Sequence, residues 1–449
     1  MASTLESRQY RSRKQKPCDL CRKRRICCIR EPGSHSCSLC RTRNIDCTYV
    51  SSPPVRLRTP KERMRRSHVG NTTPTSPATE SPSMQGRARI EELHHTLQYV
   101  GLSGDQDPYL LQHSSRDAKR QDDVAWACQT VNNDPVMPAQ FTIVPDQHLD
   151  ARPTYYPKNN VEESVHPYKE ALIKTYFNIV HPSFPILDPI RFNPNSSSLL
   201  LASMYALSHK FCSEAGQIDP WIFLDFLGRA LPLEARNPKL DSIEAALLYS
   251  QRHTYIFRAP TMPGMIAETG SLIGMSHDIG LNVDPTNWRI SETDKKRRIR
   301  LWWAVYMQDK WVALTLGRPS FLHDEQSNVP MVTISDFDHG ESEVSYLSAL
   351  ASSRIMYSVS TGMFVAMAEL SVLLSDILST FYTVRGIRRL REAPRQGMEC
   401  VIDSFTNRLE GWYNIYNTLL QGDKRLLPDP TGKLLHLMYS TNKEFLMIT

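Results

Sequence analysis

The chain has 449 residues, of which 41% are hydrophobic and 22% charged, with a formal net charge of +6. This length and apolar content are sufficient for a large buried core. The longest apolar run, Met363 to Leu374, is interrupted by Glu369 and is far shorter than the roughly 20 residues that a membrane-spanning helix needs. The sequence therefore predicts no transmembrane segment and no membrane partner.

Positive charge is concentrated at the amino-terminal end. Residues 1–70 contain 18 Lys and Arg and 5 Asp and Glu, a net charge of +13, which leaves −7 of the total of +6 for residues 71–449. Such asymmetry indicates a basic nucleic-acid-binding head on a mildly acidic body. We expect residues 1–16 to be a basic disordered terminus. They lack the apolar region of a secretory signal, which argues against an oxidising compartment.

Seven of the ten cysteines lie between Cys18 and Cys47, and six of them repeat one spacing, C-x(2)-C-x(6)-C. Thiolates at C-x(2)-C spacing bind soft divalent ions, and zinc takes four such ligands tetrahedrally at about 2.3 Å. Six cysteines supply eight ligand bonds only if two of them bridge two metals. We therefore predict a site for two Zn²⁺ ions within residues 17–49, with these ligands: Cys18, Cys21, Cys28, Cys37, Cys40 and Cys47.

The two-fold symmetry of the repeat suggests that the equivalent residues, Cys18 and Cys37, are the bridging ligands. A segment of this size has too little apolar surface for a core, so metal binding must supply most of its folding free energy. Two zinc ions and six thiolates carry a formal charge of about −2. Nearby cations offset that charge: Arg22, Lys23, Arg24, Arg25 and Arg41.

A disulfide-rich module is the competing interpretation of the cysteines. Disulfides require an oxidising compartment, and seven clustered cysteines would leave one thiol unpaired. These two points and the repeated spacing favour zinc. Cys27 competes with Cys28 for the third ligand position. Cys28 reproduces the six-residue gap between Cys40 and Cys47, which leaves Cys27 as a free thiol beside the cluster.

The segment Cys18-Asp19-Leu20-Cys21-Arg22-Lys23-Arg24-Arg25, with the later cysteines and Cys47-Thr48-Tyr49, resembles the DNA-binding module of fungal binuclear zinc cluster transcription factors. The resemblance implies that the first helix enters the major groove at a CGG-type triplet. By position, Arg24 and Arg25 match the pair that reads the guanines, and Arg22 matches a phosphate contact. Cys27 stands where the family usually has a lysine or similar residue, which removes one phosphate contact.

The basic run Arg22, Lys23, Arg24 and Arg25 agrees with this interpretation on chemical grounds. Arginine donates bidentate hydrogen bonds to guanine O6 and N7, worth about 1–3 kcal/mol of discrimination each. Four consecutive cations could also be a solvated face or a nuclear import signal, and import is compatible with DNA binding. We expect double-stranded DNA as the partner and the nucleus as the location.

Residues 50–86 are basic and then rich in Pro, Ser and Thr, which predicts a disordered linker. Apolar residues at a and d heptad spacing then predict a short coiled coil over residues 87–101, and thereby a homodimer; the alternative is an isolated amphipathic helix packed on the body. Residues 102–165 are polar and proline-dotted, which predicts a second linker. The heptad residues are Ile90, Leu93, Leu97 and Val100.

Residues 166–449 are predicted to be an all-α body, because helical periodicity dominates and β-hairpin signals are almost absent. The strongest helix is Glu292 to Leu316, which begins after Ser291 and ends at Gly317. Its charged first half is expected at the surface and its apolar second half in the core. Further helices are expected over 170–180, 199–211, 220–231, 242–257, 261–279, 357–382, 398–420 and 434–448.

Several pieces of this body resemble the helical middle homology region of the same fungal factors: His181 to Asp188, Gly280-Leu281, Asp284-Pro285, Trp288 and Leu301 to Pro319. The resemblance implies a regulatory body, which in some members responds to a small molecule. Tryptophans could line a pocket for such an inducer, although aromatic residues at helical spacing more often form a core. Family members usually continue beyond Thr449, so we expect a truncated sequence or one without the usual activation region.

An enzyme is the alternative from another functional class. Ser276-His277-Asp278 has the residue types of a catalytic triad, but adjacent residues of a helix point about 100° apart. No glycine-rich phosphate loop, G-x-S-x-G or H-E-x-x-H motif occurs in the sequence. A zinc cluster used only for protein contacts is a further alternative. The sequence thus predicts a zinc-dependent, sequence-specific regulator of RNA polymerase II genes and not an enzyme.

Overall fold

The chain divides into two units, Met1–Ser81 and Pro82–Thr449. The computed structural model of the protein describes residues 18, 36–37, 40–41, 47–48, 95–101, 127–145, 156–157, 160–252, 264–338, 353–392, 395–421 and 439–441. The few described residues of the first unit belong to a cysteine cluster, described below as the candidate metal centre. Among the described residues, all strands and all helices longer than one turn belong to the second unit.

The first described elements of the second unit form an antiparallel sheet of three strands: β1 (His95–Tyr99), β2 (Ala127–Asn132) and β3 (Ala139–Pro145), in the order β1-β3-β2. The turn between β2 and β3 is stabilised by the Asp134 carboxylate. It accepts hydrogen bonds from the backbone N–H groups of Val136 (2.7 Å) and Met137 (3.1 Å). Polar turn residues of this kind close hairpins by bonding their own backbone.

The sheet corrects two predictions. Residues 95–99 form a strand, so the coiled coil expected over 87–101 is wrong for the part of it that the structure describes. Leu97 and Tyr99 face a small core, while Gln98 between them is exposed. This alternation is the two-residue period of a strand, and over so few residues it is hard to distinguish from heptad spacing. Ile90 and Leu93 lie outside the described residues. The expected linker 102–165 contains β2 and β3, and the first helix begins within it.

The described remainder is mostly helical, as predicted. Its α-helices are α1 (Asn160–Val165), α2 (Lys169–Thr175), α3 (Ser198–Ser208), α4 (Trp221–Glu234), α5 (Leu240–Ser250), α6 (Met265–Asp278), α7 (Glu292–Leu316), α8 (Ser353–Phe381), α9 (Val384–Glu392) and α10 (Arg395–Gln421).

Helix α7 has the bounds that the sequence predicts. The Ser291 hydroxyl accepts a hydrogen bond from the Asp294 N–H (3.1 Å), which satisfies a free donor of the first turn. Gly317 ends the helix in the left-handed conformation, at a φ of 61°. Every residue from Leu301 to Met307 is buried, so this part of α7 is surrounded by neighbouring elements on all sides.

The charged first half of α7 lies only partly at the surface, so the prediction is wrong for its last turn. Arg298 and Arg300 are 4% and 2% exposed. Arg298 donates to the Ile279 carbonyl (2.8 Å), and Arg300 donates to the Asp336 carbonyl (2.5 Å). Arg297 donates to both carboxylate oxygens of Glu244 (2.7 and 2.8 Å). Burial of a cation is costly unless it is compensated. Arg297 is compensated by a carboxylate, and Arg298 and Arg300 are each hydrogen-bonded to a backbone carbonyl.

Arg298 also attaches the sheet to the helical body. Its guanidinium carbon lies 5.7 Å from the ring centroid of Phe141 on β3 and 5.2 Å from that of Trp288. These two rings meet edge to face in a small core with Val131 and Ile290. Cations are attracted to the faces of aromatic rings at this range. The sheet is therefore part of the body and not a separate module.

Near its carboxyl end, α7 contains a fully buried ion pair, Asp309 with Lys310, in which Nζ and Oδ2 are 3.2 Å apart. Lys310 also donates to the Ser320 hydroxyl and the Leu322 carbonyl, both at 2.6 Å. Asp309 accepts from the backbone N–H groups of Phe321 (2.9 Å) and Leu322 (3.1 Å). Removal of one partner from a buried pair costs about 3–5 kcal/mol. The pair therefore holds the segment after α7 against the helix.

Helix α8 lies between two cores. Phe364 and Ala368 belong to the main core around α7, whereas Leu370 packs in a second core with Leu409 and Trp412 of α10. Within the described residues, the segment Val359–Phe381 is long and apolar enough to cross a membrane by length and composition, with a mean hydropathy of 1.6. In this structure 56% of its most apolar 18-residue stretch is buried inside the protein. Contact with two cores explains why this helix is apolar on more than one face.

We expect Gly280→Ala to destabilise the protein. Gly280 has a φ of 65°, and an added Cβ would lie 2.9 Å from ring atoms of Tyr99 on β1. Left-handed strain and this overlap together are expected to cost about 1–3 kcal/mol in the free energy of unfolding, measured with urea. Gly274→Ala on α6, where nothing lies within 4 Å of the added Cβ, is the control. It should stabilise by about 0.5–1 kcal/mol. Equal effects of the two changes would show that Tyr99 does not dock on Gly280.

Candidate metal centre

Four cysteine sulfurs converge in the first unit. The Sγ atoms of Cys18, Cys37, Cys40 and Cys47 all lie within 4.8 Å of one another. Cys18 Sγ is 3.8 Å from Cys37 Sγ and 3.8 Å from Cys40 Sγ. Cys18, Cys37 and Cys40 have no exposed surface, whereas Cys47 is partly exposed. The centre is thus a closed cluster of thiols.

The separations of these sulfurs fit a tetrahedral metal site. Four sulfurs placed about 2.3 Å from a zinc ion at the corners of a tetrahedron are about 3.8 Å apart. A disulfide would require an S–S distance of about 2.05 Å. The four cysteines are free thiols. Their arrangement therefore fits zinc coordination and does not fit disulfide bonds among them.

Local backbone structure brings the second half-motif together. Residues 40 and 41 are helical, and the Arg41 N–H donates to the Cys37 carbonyl (3.0 Å), so Cys37 and Cys40 lie one turn apart on the same side. The Cys40 N–H donates to Cys37 Sγ (3.4 Å), and the Cys37 N–H donates to Cys47 Sγ (3.4 Å). Such N–H donors stabilise the negative charge of a metal-bound thiolate.

Without a cation, Cys40 favours its neutral thiol form. Burial, together with hydrogen bonds to Cys37, Cys18 and Cys47, raises the pKa of Cys40 to about 12. A divalent ion reverses this preference, because it stabilises the thiolate form directly. Metal binding by such a centre releases protons and contributes its free energy to folding.

The membership of the cluster bears on the predicted bridging. Cys37, Cys40 and Cys47 are the three ligands of the second half-motif, and the fourth sulfur, Cys18, comes from the first half. A second-half zinc therefore needs Cys18 to complete its four ligands. Two predicted ligands, Cys21 and Cys28, lie outside the described residues, and so does Cys27. The same is true of the predicted DNA contacts: Arg22, Lys23, Arg24 and Arg25.

The second unit contains a cavity of about 330 Å³ between α4, α5 and α6. Apolar side chains form much of its wall, and the Tyr249 ring and the Glu268 carboxylate lie among them. Arg252 donates to both carboxylate oxygens of Glu268 (3.0 and 2.8 Å) and lies 3.7 Å from the ring centroid of Tyr249. The apolar wall includes Leu231, Ala246, Met265, Leu272 and Met275.

The sequence did not indicate the position of this cavity. The tryptophans suggested as pocket residues are not among its lining residues. Trp302 and Trp303 are buried in the main core, and Trp303 Nε1 donates to the Pro330 carbonyl (2.7 Å). Ser276, His277 and Asp278 likewise do not form a catalytic triad. The Ser276 hydroxyl donates to the Leu272 carbonyl of its own helix (2.7 Å). No catalytic arrangement is present among the residues that the structure describes.

The chain thus combines a mostly helical body with a basic, cysteine-rich unit in which four thiols converge. The family model described as "Fungal specific transcription factor domain" matches residues 173–414, more than half of the chain. The chain belongs to this family, and it is a transcription regulator.

Curated relatives agree with this assignment. An uncharacterised transcriptional regulatory protein of Schizosaccharomyces pombe is 27% identical over 477 residues, which cover 89% of this chain and 69% of the relative. The transcriptional activator protein DAL81 of Saccharomyces cerevisiae is 26% identical, over 58% of this chain and 30% of the relative. Cutinase transcription factor 1 beta of Fusarium vanettenii is 28% identical, over 38% and 21%. The aligned regions thus span less than a third of the latter two relatives, and no solved structure matches the chain.

We expect Cys40→Ser to lower the zinc content of the purified full-length chain by at least one ion, because the change removes one of four converging sulfurs. Elemental analysis against protein concentration measures this. Cys400→Ser is the matched control, since Cys400 is an exposed thiol on α10; it should leave the zinc content unchanged. Equal zinc content in both variants and the wild type would contradict a metal centre at Cys40.

Proposed function

We propose that the protein is a nuclear, zinc-dependent regulator that binds double-stranded DNA and reads CGG-type triplets. The observation that supports this most is the tetrahedral fit of Cys18, Cys37, Cys40 and Cys47, with Sγ separations of 3.8 Å for two of the pairs. This centre lies in the basic part of a chain that belongs to a transcription factor family. Two Zn²⁺ ions per chain complete the proposal, with Cys18 and Cys37 as the shared ligands.

The chemistry of the basic run suits this role. Residues 1–70 carry a net charge of +13, so phosphate neutralisation supplies much of the affinity and makes it strongly dependent on salt. Arg24 and Arg25 would contact guanine edges, while Arg22 and Lys23 contact phosphates. Rigid attachment beside a metal cluster reduces the entropy lost when these side chains bind.

Dimeric binding is part of the proposal, because one triplet is too short to single out sites among a genome's competitors. The dimer contact cannot be the predicted heptad helix as a whole. Leu97 lies in β1 and Val100 directly follows it, where its N–H donates to the Gln140 carbonyl (2.9 Å). A different surface must therefore join two chains.

Substitution of the guanine-reading pair tests the proposal. Arg24→Ala with Arg25→Ala in the full-length chain should reduce the preference for CGG-containing duplexes over scrambled ones by roughly 5- to 150-fold per arginine. Fluorescence anisotropy at fixed salt measures both affinities. Arg56→Ala with Arg58→Ala removes the same charge within the linker and should weaken both duplexes equally.

Two results would overturn the proposal. Triplet preference unchanged in the Arg24 and Arg25 variant would favour the alternative, a zinc cluster used only for protein contacts. Binding that survives complete removal of zinc by a chelator would exclude a metal-dependent reader.

The cavity between α4, α5 and α6 supports a second role, binding of a small-molecule inducer. Its volume of about 330 Å³ is large enough for a small organic ligand. Because Arg252 already pairs with Glu268, the wall is close to neutral. The matching ligand class is an uncharged, mostly apolar molecule with one hydrogen-bonding end.

Filling the cavity tests this second role. Ala246→Phe should weaken binding of the uncharged, apolar fluorescent probe N-phenyl-1-naphthylamine at least tenfold, because the new ring occupies the space between the helices. Ala171→Phe on α2, also half-buried but outside the cavity, is the control and should retain binding. Titration by fluorescence measures both. Equal affinities in the two variants would exclude the cavity as the binding site.

A further inference from the structure

Helix α9 joins the two long helices α8 and α10, which pack against each other. The Thr383 hydroxyl caps it by accepting a hydrogen bond from the Gly386 N–H (2.9 Å). Gly386 is buried, and an added Cβ would overlap the Thr380 carbonyl oxygen at the end of α8. This side of α9 is therefore closed against α8.

The opposite side of α9 is an arginine surface. Arg385, Arg388, Arg389 and Arg391 fall within an arc of about 160° at 100° per residue, centred away from Gly386. All four side chains are exposed. Within the described part of the chain, none of the four forms an ion pair or side-chain hydrogen bond.

This surface differs from three arginines of the body that are neutralised by carboxylates. Arg252, Arg297 and Arg408 each bind a carboxylate, that of Glu268, Glu244 and Asp376 respectively. Residues 71–449 carry a net charge of −7, yet α9 has four arginines and one carboxylate in 9 residues. The positive charge of α9 is therefore local, and no carboxylate among the described residues forms an ion pair with its arginines.

The arrangement is unfavourable for the isolated helix. Arg385 lies in the first turn, where the helix dipole favours negative charge, and that turn has no acidic residue. Arg385 with Arg388, Arg385 with Arg389, and Arg388 with Arg391 are like-charge pairs at three or four residues' separation, which repel each other. A bound polyanion would relieve this repulsion.

We propose that α9 binds the phosphate backbone of double-stranded DNA, as a second contact beside that of the cysteine-rich head. The proposal rests on the proposed function, which makes DNA the polyanion of this protein. Guanidinium groups bind phosphates through paired hydrogen bonds without reading sequence. The connecting segment 49–94 has a contour length of roughly 150 Å, so covalent connection does not prevent both contacts.

An anionic membrane is the strongest competing partner, because Val384 and Ile387 are 82% and 42% exposed. Membrane-surface helices, however, separate a broad apolar face from a charged one. Val384 falls inside the arginine arc, and α9 has only 9 residues. Charge therefore dominates this surface, which favours DNA.

The salt dependence of DNA binding tests the inference. Four substitutions to glutamine, R385Q, R388Q, R389Q and R391Q, are combined in the zinc-loaded full-length chain. The slope of log affinity against log salt should fall in magnitude by about 2–4, since each phosphate contact contributes about 0.9. Affinity for CGG-containing and scrambled duplexes should fall by the same factor.

The matched control carries K174Q, R236Q, R289Q and R318Q, four exposed cations elsewhere on the body. It makes the same change in net charge and should leave the slope near that of the wild type. A charge-conserving variant with lysine at the four α9 positions should retain the slope, even if the glutamine variant unfolds. Thermal melting of each variant monitors folding.

The outcomes separate this inference from the proposed function. Equal slopes in the α9 variant and the control overturn the inference, whether or not wild type prefers the triplet. A reduced slope without any triplet preference supports the inference and overturns base reading by the head. Loss of binding to phosphatidylserine vesicles with an unchanged DNA slope would assign α9 to a membrane surface instead.

Discussion

A buried cation must have a partner, and helix α7 buries three: Arg298, Arg300 and Lys310. Each finds its partner in a different part of the body. Arg298 binds the Ile279 carbonyl and the aromatic rings of the sheet, Arg300 binds the Asp336 carbonyl, and Lys310 binds Asp309 and the Leu322 carbonyl. Because an unpaired buried charge is so unfavourable, these contacts specify how the sheet and the segment after α7 pack around one helix.

The first unit depends on a different constraint. It has no comparable apolar core among its described residues, and its buried residues are the cysteines themselves. Four sulfurs at tetrahedral spacing are stable as a cluster when a cation offsets their thiolate charge. The body is thus organised by compensated charges within a hydrophobic core, whereas the described part of the head is a cluster of cysteines that could bind a metal.

Local signals allowed much of this to be predicted. Ser291 and Gly317 gave both ends of α7 because caps are short-range features, and the repeated cysteine spacing indicated that Cys18 would join the second half-motif. The sheet was missed because strand pairing joins residues distant in sequence, although the alternation around Phe141 and the turn at Asp134 were available signals. Burial of Arg298 could not be predicted, since a charge pattern does not reveal carbonyl partners.

Zinc K-edge X-ray absorption of the zinc-loaded full-length chain tests the central claim most directly. We expect four sulfur neighbours per zinc at about 2.3 Å and no nitrogen or oxygen ligands. We also expect a second zinc within about 4.6 Å, since two ions that share a sulfur ligand cannot be farther apart. Nitrogen or oxygen ligands at about 2.0–2.2 Å, or zinc without a zinc neighbour, would contradict a two-zinc, six-cysteine centre.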